Sequence, residues 1–497
     1  MPAEQALPRS GLERFVDGLA LLLVALFAFE ASSRASYPFD LEWMEGGQVC
    51  HALELLEGRG LYRAPSADFI AFPYEPFYSY VLAALASLFG LSMGLARAVS
   101  IVSSLALAAV VALFVRERVP GRAWPLRAAA VTLGLQSVVG HFLDLARVDA
   151  LCLFLLAAAL LVGQPGKVRG WGWLVGALLM VLALSTKQVA LVFAPIPVLS
   201  LWPRDKRAAV GYALIVGLYV LVDRPIGDAL TDDWYGFYTR RMPTFQPISL
   251  ERVVTELPTT MLGHVPLLAS VVGWSAWRAL RRDWRASITR PELLAPWAGL
   301  VATALAWARP GGAANNLATT YVFLVAPAMI ALAEPRALIA SERLARLTPL
   351  LLAVQLMLLM WDPRPHIPSA EVRAAGEQLV SILGAEPGEV LVPEHPYYAV
   401  LAGHRGNYHA NDTWELHYGL GDPFPSDLRE RIAACRYALI ASYLPLRTDR
   451  LPAPFSTRYE LVESLDDMPV ALGGIEGVTG AVPRHLFRPR AGCVDAP

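Results

Sequence analysis

The chain has 497 residues, of which 55% are hydrophobic and only 17% charged, with a mean hydropathy of +0.43. A soluble globular domain is less apolar than this, so a polytopic membrane protein is expected. A net charge of -1 leaves no basic footprint for nucleic acid, and four cysteines without a CxxC or Cys/His pattern argue against a zinc site or a disulfide scaffold.

Arg9 and Arg14 precede a first apolar run at 15–31. The run is short enough for a signal peptide, but the charge placement and the motif that follows it favour an uncleaved first span starting inside. Further apolar runs lie near 76–91, 94–115, 126–143, 147–163, 171–186, 188–202, 207–223, 258–279, 292–309, 316–334 and 346–361. Loop charge decides which of them cross. If 76–91 crosses, the basic loop with Arg116, Arg118, Arg122 and Arg127 falls outside, as do Arg204, Lys206, Arg207 and Arg278, Arg281, Arg282, Arg285. If 76–91 instead lies at the interface, all of these move inside together with Lys167, Arg169, Arg336, Arg343 and Arg346. The second arrangement predicts eleven spans in residues 1–362, an outer loop 34–93 carrying an interfacial helix, an inside N-terminus and an outside C-terminus.

Directly after the first run comes Pro38-Phe39-Asp40-Leu41-Glu42-Trp43-Met44-Glu45-Gly46-Gly47. Carboxylates at a span end either face headgroup water as a solvated cap or do chemistry. The predicted topology gathers other polar residues on the same outer face: Asp144-Leu-Ala-Arg147-Val-Asp149, Thr186-Lys187-Gln188, the loop 224–257, and Arg309 before Pro310-Gly311-Gly312 with Asn315 and Asn316. Each has a bland reading: a helix-end ion pair for the second motif, snorkelling for Lys187, a loop charge for Arg309. Their convergence on one face points to a site. Phe72-Pro-Tyr74-Glu75-Pro76-Phe77-Tyr78 opens the non-crossing helix, where its aromatics suit an interfacial belt or the wall of a lipid groove. From 363 on, a helix at 369–384, a strand at 389–393, a helix at 425–436 and a strand at 437–441 predict a small α/β domain, 363–497, on the outer face. Cys435 and Cys493 both fall in it and could pair if it is exported.

A carboxylate at the outer face can act as general base for a hydroxyl, provided nearby cations hold an anionic leaving group, and Lys187 and Arg147 are such cations. The order of elements resembles the GT-C superfamily of polyprenyl-phosphate-dependent glycosyltransferases. It runs from the acidic motif after the first span through Gly58-x-x-x-Tyr62, Tyr74-x-Pro76-x-Tyr78, the L-A-R-x-D turn and the T-K-Q junction to an outer C-terminal domain. The bacterial relatives of protein O-mannosyltransferases and aminoarabinose transferases look most alike. The resemblance implies inverting sugar transfer from a polyprenyl-phosphate donor to an extracytoplasmic glycan, lipid or protein, in the cell membrane and among its lipids. Asp40 matches the family's acceptor-activating base, with Glu42 or Glu45 in a second role, because Leu41 interrupts the Asp-Glu pair often seen there. Arg147 and Asp149 match the second-loop motif and Lys187 the lysine near the donor phosphate, with Gln188, Tyr74, Tyr78 and Arg309 expected around the donor. No cofactor or metal is called for, since a phosphate leaves without needing a proton. A transporter or lipid flippase is the alternative. It calls for ionisable groups near mid-span and repeated halves, neither of which is apparent.

Overall fold

The computed structural model describes residues 10–167, 170–334, 347–442, 451–465 and 483–493. Arg9, Arg169, Arg336, Arg343 and Arg346, used above in the charge argument, lie outside the described residues.

The first helix, α1 (Gly11–Ala35), starts where Ser10 and Glu13 form a reciprocal capping box. It buries Val16, Ala20, Leu23, Phe27 and Ala31 at helical spacing and leaves Phe15, Leu21, Leu22 and Phe29 exposed. Large apolar side chains facing outward are what a lipid-facing helix requires. After an irregular turn come α2 (Met44–Leu56), α3 (Phe77–Phe89), α4 (Met93–Arg116), α5 (Ala123–Gly134), α6 (Val148–Val162) and α7 (Gly172–Leu184). Helices α4, α5 and α6 pack together, α1 packs against α5, and α6 packs against α7. At the last contact a Cβ on Gly176 would stand 2.6 Å from the Gly163 Cα, so only glycine permits the approach.

Among the described residues four helices are long and apolar enough to cross a membrane: Gly11–Ala35, Met93–Arg116, Lys206–Leu230 and Ala314–Ala333. Five shorter apolar helices, including Phe77–Phe89 and Val148–Val162, accompany them. Several expected runs are broken. The run 126–143 is helical only to Gly134, continues as a 3-10 turn over Leu135–Val138, and then reverses through Gly140 and His141, both with positive φ. Buried Gln136, His141 and Asp144 make this turn polar inside. The run 188–202 divides into a 3-10 segment Gln188–Phe193 and a helix Pro195–Leu201, because Pro195 and Pro197 bring no backbone N–H to a helical ladder. Pro266 likewise opens a new helix after Leu257–His264 within the run 258–279.

Beyond the last apolar helix, Thr348–Leu358, the helix Ala370–Gly384 is followed by β1 (Glu389–Leu391), β2 (Tyr437–Ser442), β3 (Tyr459–Ser464) and β4 (His485–Pro489). The sheet order is β1-β2-β4-β3, with β1 and β2 parallel and the other pairs antiparallel. The parallel pair needs a crossover, which the helices Ala410–Leu420 and Ser426–Ala433 supply. A disulfide joins Cys435, just before β2, to Cys493, just after β4.

Candidate active site at the first acidic turn

The turn between α1 and α2 is held by Arg97 of α4. Its guanidinium is fully buried and takes the Glu45 carboxylate in a two-pronged pair, Nε to Oε1 at 2.9 Å and Nη2 to Oε2 at 2.7 Å. It also donates to the carbonyls of Arg34 (3.0 Å), Tyr37 (2.6 Å) and Phe39 (2.7 Å), in the last turn of α1 and the segment that follows it. Glu45 accepts further from the backbone N–H groups of Leu41 (2.7 Å) and Ala146 (2.8 Å). Burial pushes the Glu45 carboxyl up, but Arg97 and these donors outweigh burial and hold it below the usual carboxylate range.

Asp40 lies on the same turn and is 2% exposed. One oxygen, Oδ2, stands 2.7 Å from Nδ1 of His395, and Oδ1 has no partner among the described residues. Burial raises the Asp40 carboxyl, opposed by His395. The room comes from the two glycines that begin α2. A Cβ on Gly46 would be 2.6 Å from Asp40 Oδ1 and 2.8 Å from the Tyr397 Cβ, and one on Gly47 would be 2.3 Å from the Phe72 ring. Neither position accepts a larger residue without displacing the site.

Glu42 accepts from Arg147 Nη1 at 2.9 Å, and its carboxyl is pushed up to about 7 by burial in spite of Arg147. Arg147 Nη2 donates to the Tyr74 hydroxyl at 3.3 Å, and its Nε is 3.8 Å from Asp149 Oδ2. Asp149 takes Lys187 Nζ at 2.7 Å and the Asn315 amide at 3.3 and 3.4 Å, while Lys187 Nζ lies 5.9 Å from the Tyr74 ring centroid. The result is an alternating, largely buried row of Glu42, Arg147, Asp149 and Lys187, with Tyr74 beside both cations.

The expected residues therefore divide. Asp40, Glu42, Glu45, Arg147, Asp149, Lys187 and Tyr74 are joined through the acidic turn and this row. Gln188 adjoins it as a fastener, its Nε2 donating to the Pro73 and Thr239 carbonyls at 3.0 and 3.1 Å. Tyr78 is fully buried between α3 and α4, its hydroxyl donating to the Ala96 carbonyl at 3.3 Å. Arg309 lies near Glu415, which accepts from Gln246 at 2.6 Å, and among the described residues no contact joins Arg309 to Lys187 or Arg147. Nor are Asp144 and Arg147 each other's partners. Asp144 takes Arg34 Nε at 2.9 Å, and Arg34 also pairs with Glu30 at 3.1 Å. Sequence reasoning missed Arg97, His395 and the Arg34 network. The spacing of Glu30 and Arg34, four residues apart at the end of an apolar run, was the available signal for the last.

The family model of glycosyltransferase family 87 matches residues 72–295. No curated protein matches the chain. Among solved structures, ArnT from Cupriavidus metallidurans bound to undecaprenyl phosphate is similar, with a TM-score of 0.59 and 15% identity over 97% of this chain and 99% of that one. The apo form of the same ArnT gives a TM-score of 0.58 and 14% identity over the same shares. Identity this low speaks for the fold alone, but it does so along nearly the whole chain, and the family match covers Tyr74, Arg147, Asp149 and Lys187 of the buried row. Residues 72–295 are thus similar to glycosyltransferase family 87, and the chain along nearly its whole length shares the helical fold of the ArnT structures.

Proposed function

We propose that the chain transfers a sugar, with inversion, from a polyprenyl-phosphate donor to a hydroxyl or amine acceptor at the outer face of the cell membrane. The observation that carries this reading is the row in which Arg147 and Lys187 stand among carboxylates beside the acidic turn. Fixed buried cations suit a phosphate headgroup at the bilayer edge, where a loose surface charge would be screened. The undecaprenyl phosphate named with the similar ArnT is of the same chemical class.

In the proposed step Asp40 Oδ1 takes the proton of the acceptor as the acceptor oxygen or nitrogen bonds to the anomeric carbon. The bond from that carbon to the phosphate oxygen breaks, and the lipid phosphate leaves with the electron pair, its charge held by Arg147 and Lys187. Glu42 orients the acceptor. Between the two candidates for that role, Glu45 is committed to Arg97 and to backbone donors, whereas Glu42 adjoins the phosphate-holding Arg147. Residues 363–497 are proposed as an outer domain on a 1–362 membrane module. What supports this is that His395 and His409 touch the acidic turn at Asp40 and Trp43, so the two parts share a side of the membrane.

The test offers membranes containing the protein a panel of radiolabelled polyprenyl-phosphate sugars and acceptor extracts, and follows label leaving the lipid. Donor-dependent transfer is expected, and none from any donor overturns the reading. Reporter fusions after Gly121 and Val400 should read inside and outside respectively.

A further inference from the structure

The hydrogen-bond partner of Asp40 lies 355 residues further along the chain. His395 follows β1 in the turn Val392–Pro396, where its backbone N–H donates to the Val392 carbonyl at 3.2 Å. The segment is gripped from several directions. Phe39 stacks on Tyr398 with centroids 5.0 Å apart, and its ring fills the space where a Cβ on Gly376 would sit, 2.4 Å away. Gly46 backs onto Tyr397, and His409 Nε2 donates to the Trp43 carbonyl at 2.9 Å while its Nδ1 accepts from the Asn411 N–H. Residues on both sides of Asp40 are thus held by the C-terminal part of the chain, and His395 is placed by packing before any charge is considered.

An ionised carboxylate only accepts, so the 2.7 Å contact requires the proton on His395 Nδ1. The imidazole is 1% exposed, and neither its Nε2 nor Asp40 Oδ1 has a partner among the described residues. Buried polar atoms are rarely left unpaired, because each forfeits its hydration, and such atoms at an active centre are where a reactant finds its partners. One carboxylate oxygen is occupied and the other is free. A carboxylate held in this way cannot rotate its occupied oxygen toward the reactant.

We propose that His395 is a positioning residue for sugar transfer, its Nδ1–H clamping Asp40 Oδ2 so that Oδ1 alone is aimed at the acceptor. The C-terminal part of the chain thereby completes the active site rather than merely sitting above it. No proton passes through His395: it moves from the acceptor to Asp40 Oδ1 and from there to water. The inference rests on the reading of Asp40 as the base.

The experiment compares full-length parent, His395→Ala, His395→Asn and Asp40→Asn in membranes at matched amounts of inserted protein, measuring kcat, donor KM and the pH profile. Asparagine can present a side-chain N–H near the position of Nδ1, so it keeps the clamp. Because a general base contributes about 100- to 10,000-fold, His395→Ala should lose roughly 10- to 100-fold in kcat with donor KM within about twofold. Its acid limb should move to higher pH, since the carboxylate loses the donor that favours its charged form. His395→Asn should recover to within a few fold of the parent. Parental kcat and an unmoved acid limb in His395→Ala overturn the inference, as does a His395→Asn protein as slow as His395→Ala while equally resistant to thermal unfolding. If His395→Ala does not insert, His395→Asn decides alone, and a folded but slow protein overturns the clamp. Full activity of Asp40→Asn would instead overturn the base assignment, which separates the two failures.

Discussion

Glu45 and Asp40 sit five residues apart on one turn, both buried and both carboxylates, yet their surroundings treat them in opposite ways. Glu45 has a two-pronged arginine and the backbone donors of Leu41 and Ala146. Among the described residues Asp40 has a single imidazole N–H and one bare oxygen. Burial works against the charge of both; it is outweighed at Glu45 and prevails at Asp40. A fully partnered buried carboxylate is a latch, because nothing is left on it to react. A half-partnered one is poised, because its remaining lone pairs gain most from the next donor to arrive. Glu42 is intermediate, paired with Arg147 but pushed up to about 7.

That contrast can be broken experimentally. The largest effect should come from Asp40→Asn, which is expected to remove about 100- to 10,000-fold of turnover while insertion and donor binding persist. Near-parental transfer would move the base to Glu42 and dissolve the distinction. Arg97→Ala should act through folding instead. Leaving the buried Glu45 charge unpaired costs about 3–5 kcal/mol, to be read as a large fall in thermal stability in detergent. An Arg97→Ala protein as stable as the parent but inactive would show that the latch is part of the chemistry.

Glu42 sharpens the middle of the comparison through pH. Its folded value of about 7 lies above the ordinary 4.5, so between these values the folded state binds more protons than the unfolded chain. Stability should therefore fall as pH rises from about 4.5 toward 7, by an amount of order 3 kcal/mol, and Glu42→Gln should flatten that slope. Thermal unfolding across the window measures it, and an unchanged slope in the variant sinks the assignment. The smallest of the four effects is expected from Lys187→Ala. A lost charge-assisted bond to the donor phosphate is worth about 1.5–3 kcal/mol, so binding of labelled polyprenyl phosphate should weaken roughly 10-fold or more. Unaltered binding would leave Lys187 a structural partner of Asp149, as Glu45 is of Arg97.

Much of this arrangement was legible before folding, and unevenly so. The acidic motif, the Arg147–Asp149 turn and Lys187 were visible because ionisable residues at the ends of apolar runs stand out against their surroundings. Tyr78 and Arg309 were equally visible, but the fold turns the first into the α3–α4 contact and places the second near Glu415. The run 126–143 looked like one span, yet a polar turn with positive φ at Gly140 and His141 interrupts it. Periodicity reports which residues are apolar and not where buried hydrogen bonds let a helix stop.

By itself the sequence determined that this is a helical membrane protein, where its apolar segments lie, and that an acidic turn follows the first of them. Hydropathy and charge are sums over neighbouring residues, and the bilayer acts on those sums directly. Only the tertiary structure decided which carboxylate is latched and which is left open. Glu45 meets Arg97 across 52 residues, Glu42 meets Arg147 across 105, and Asp40 meets His395 across 355. Such pairings depend on how α4, the turn before α6 and the segment after β1 pack, and the free energy of a buried charge depends on the partner that packing delivers.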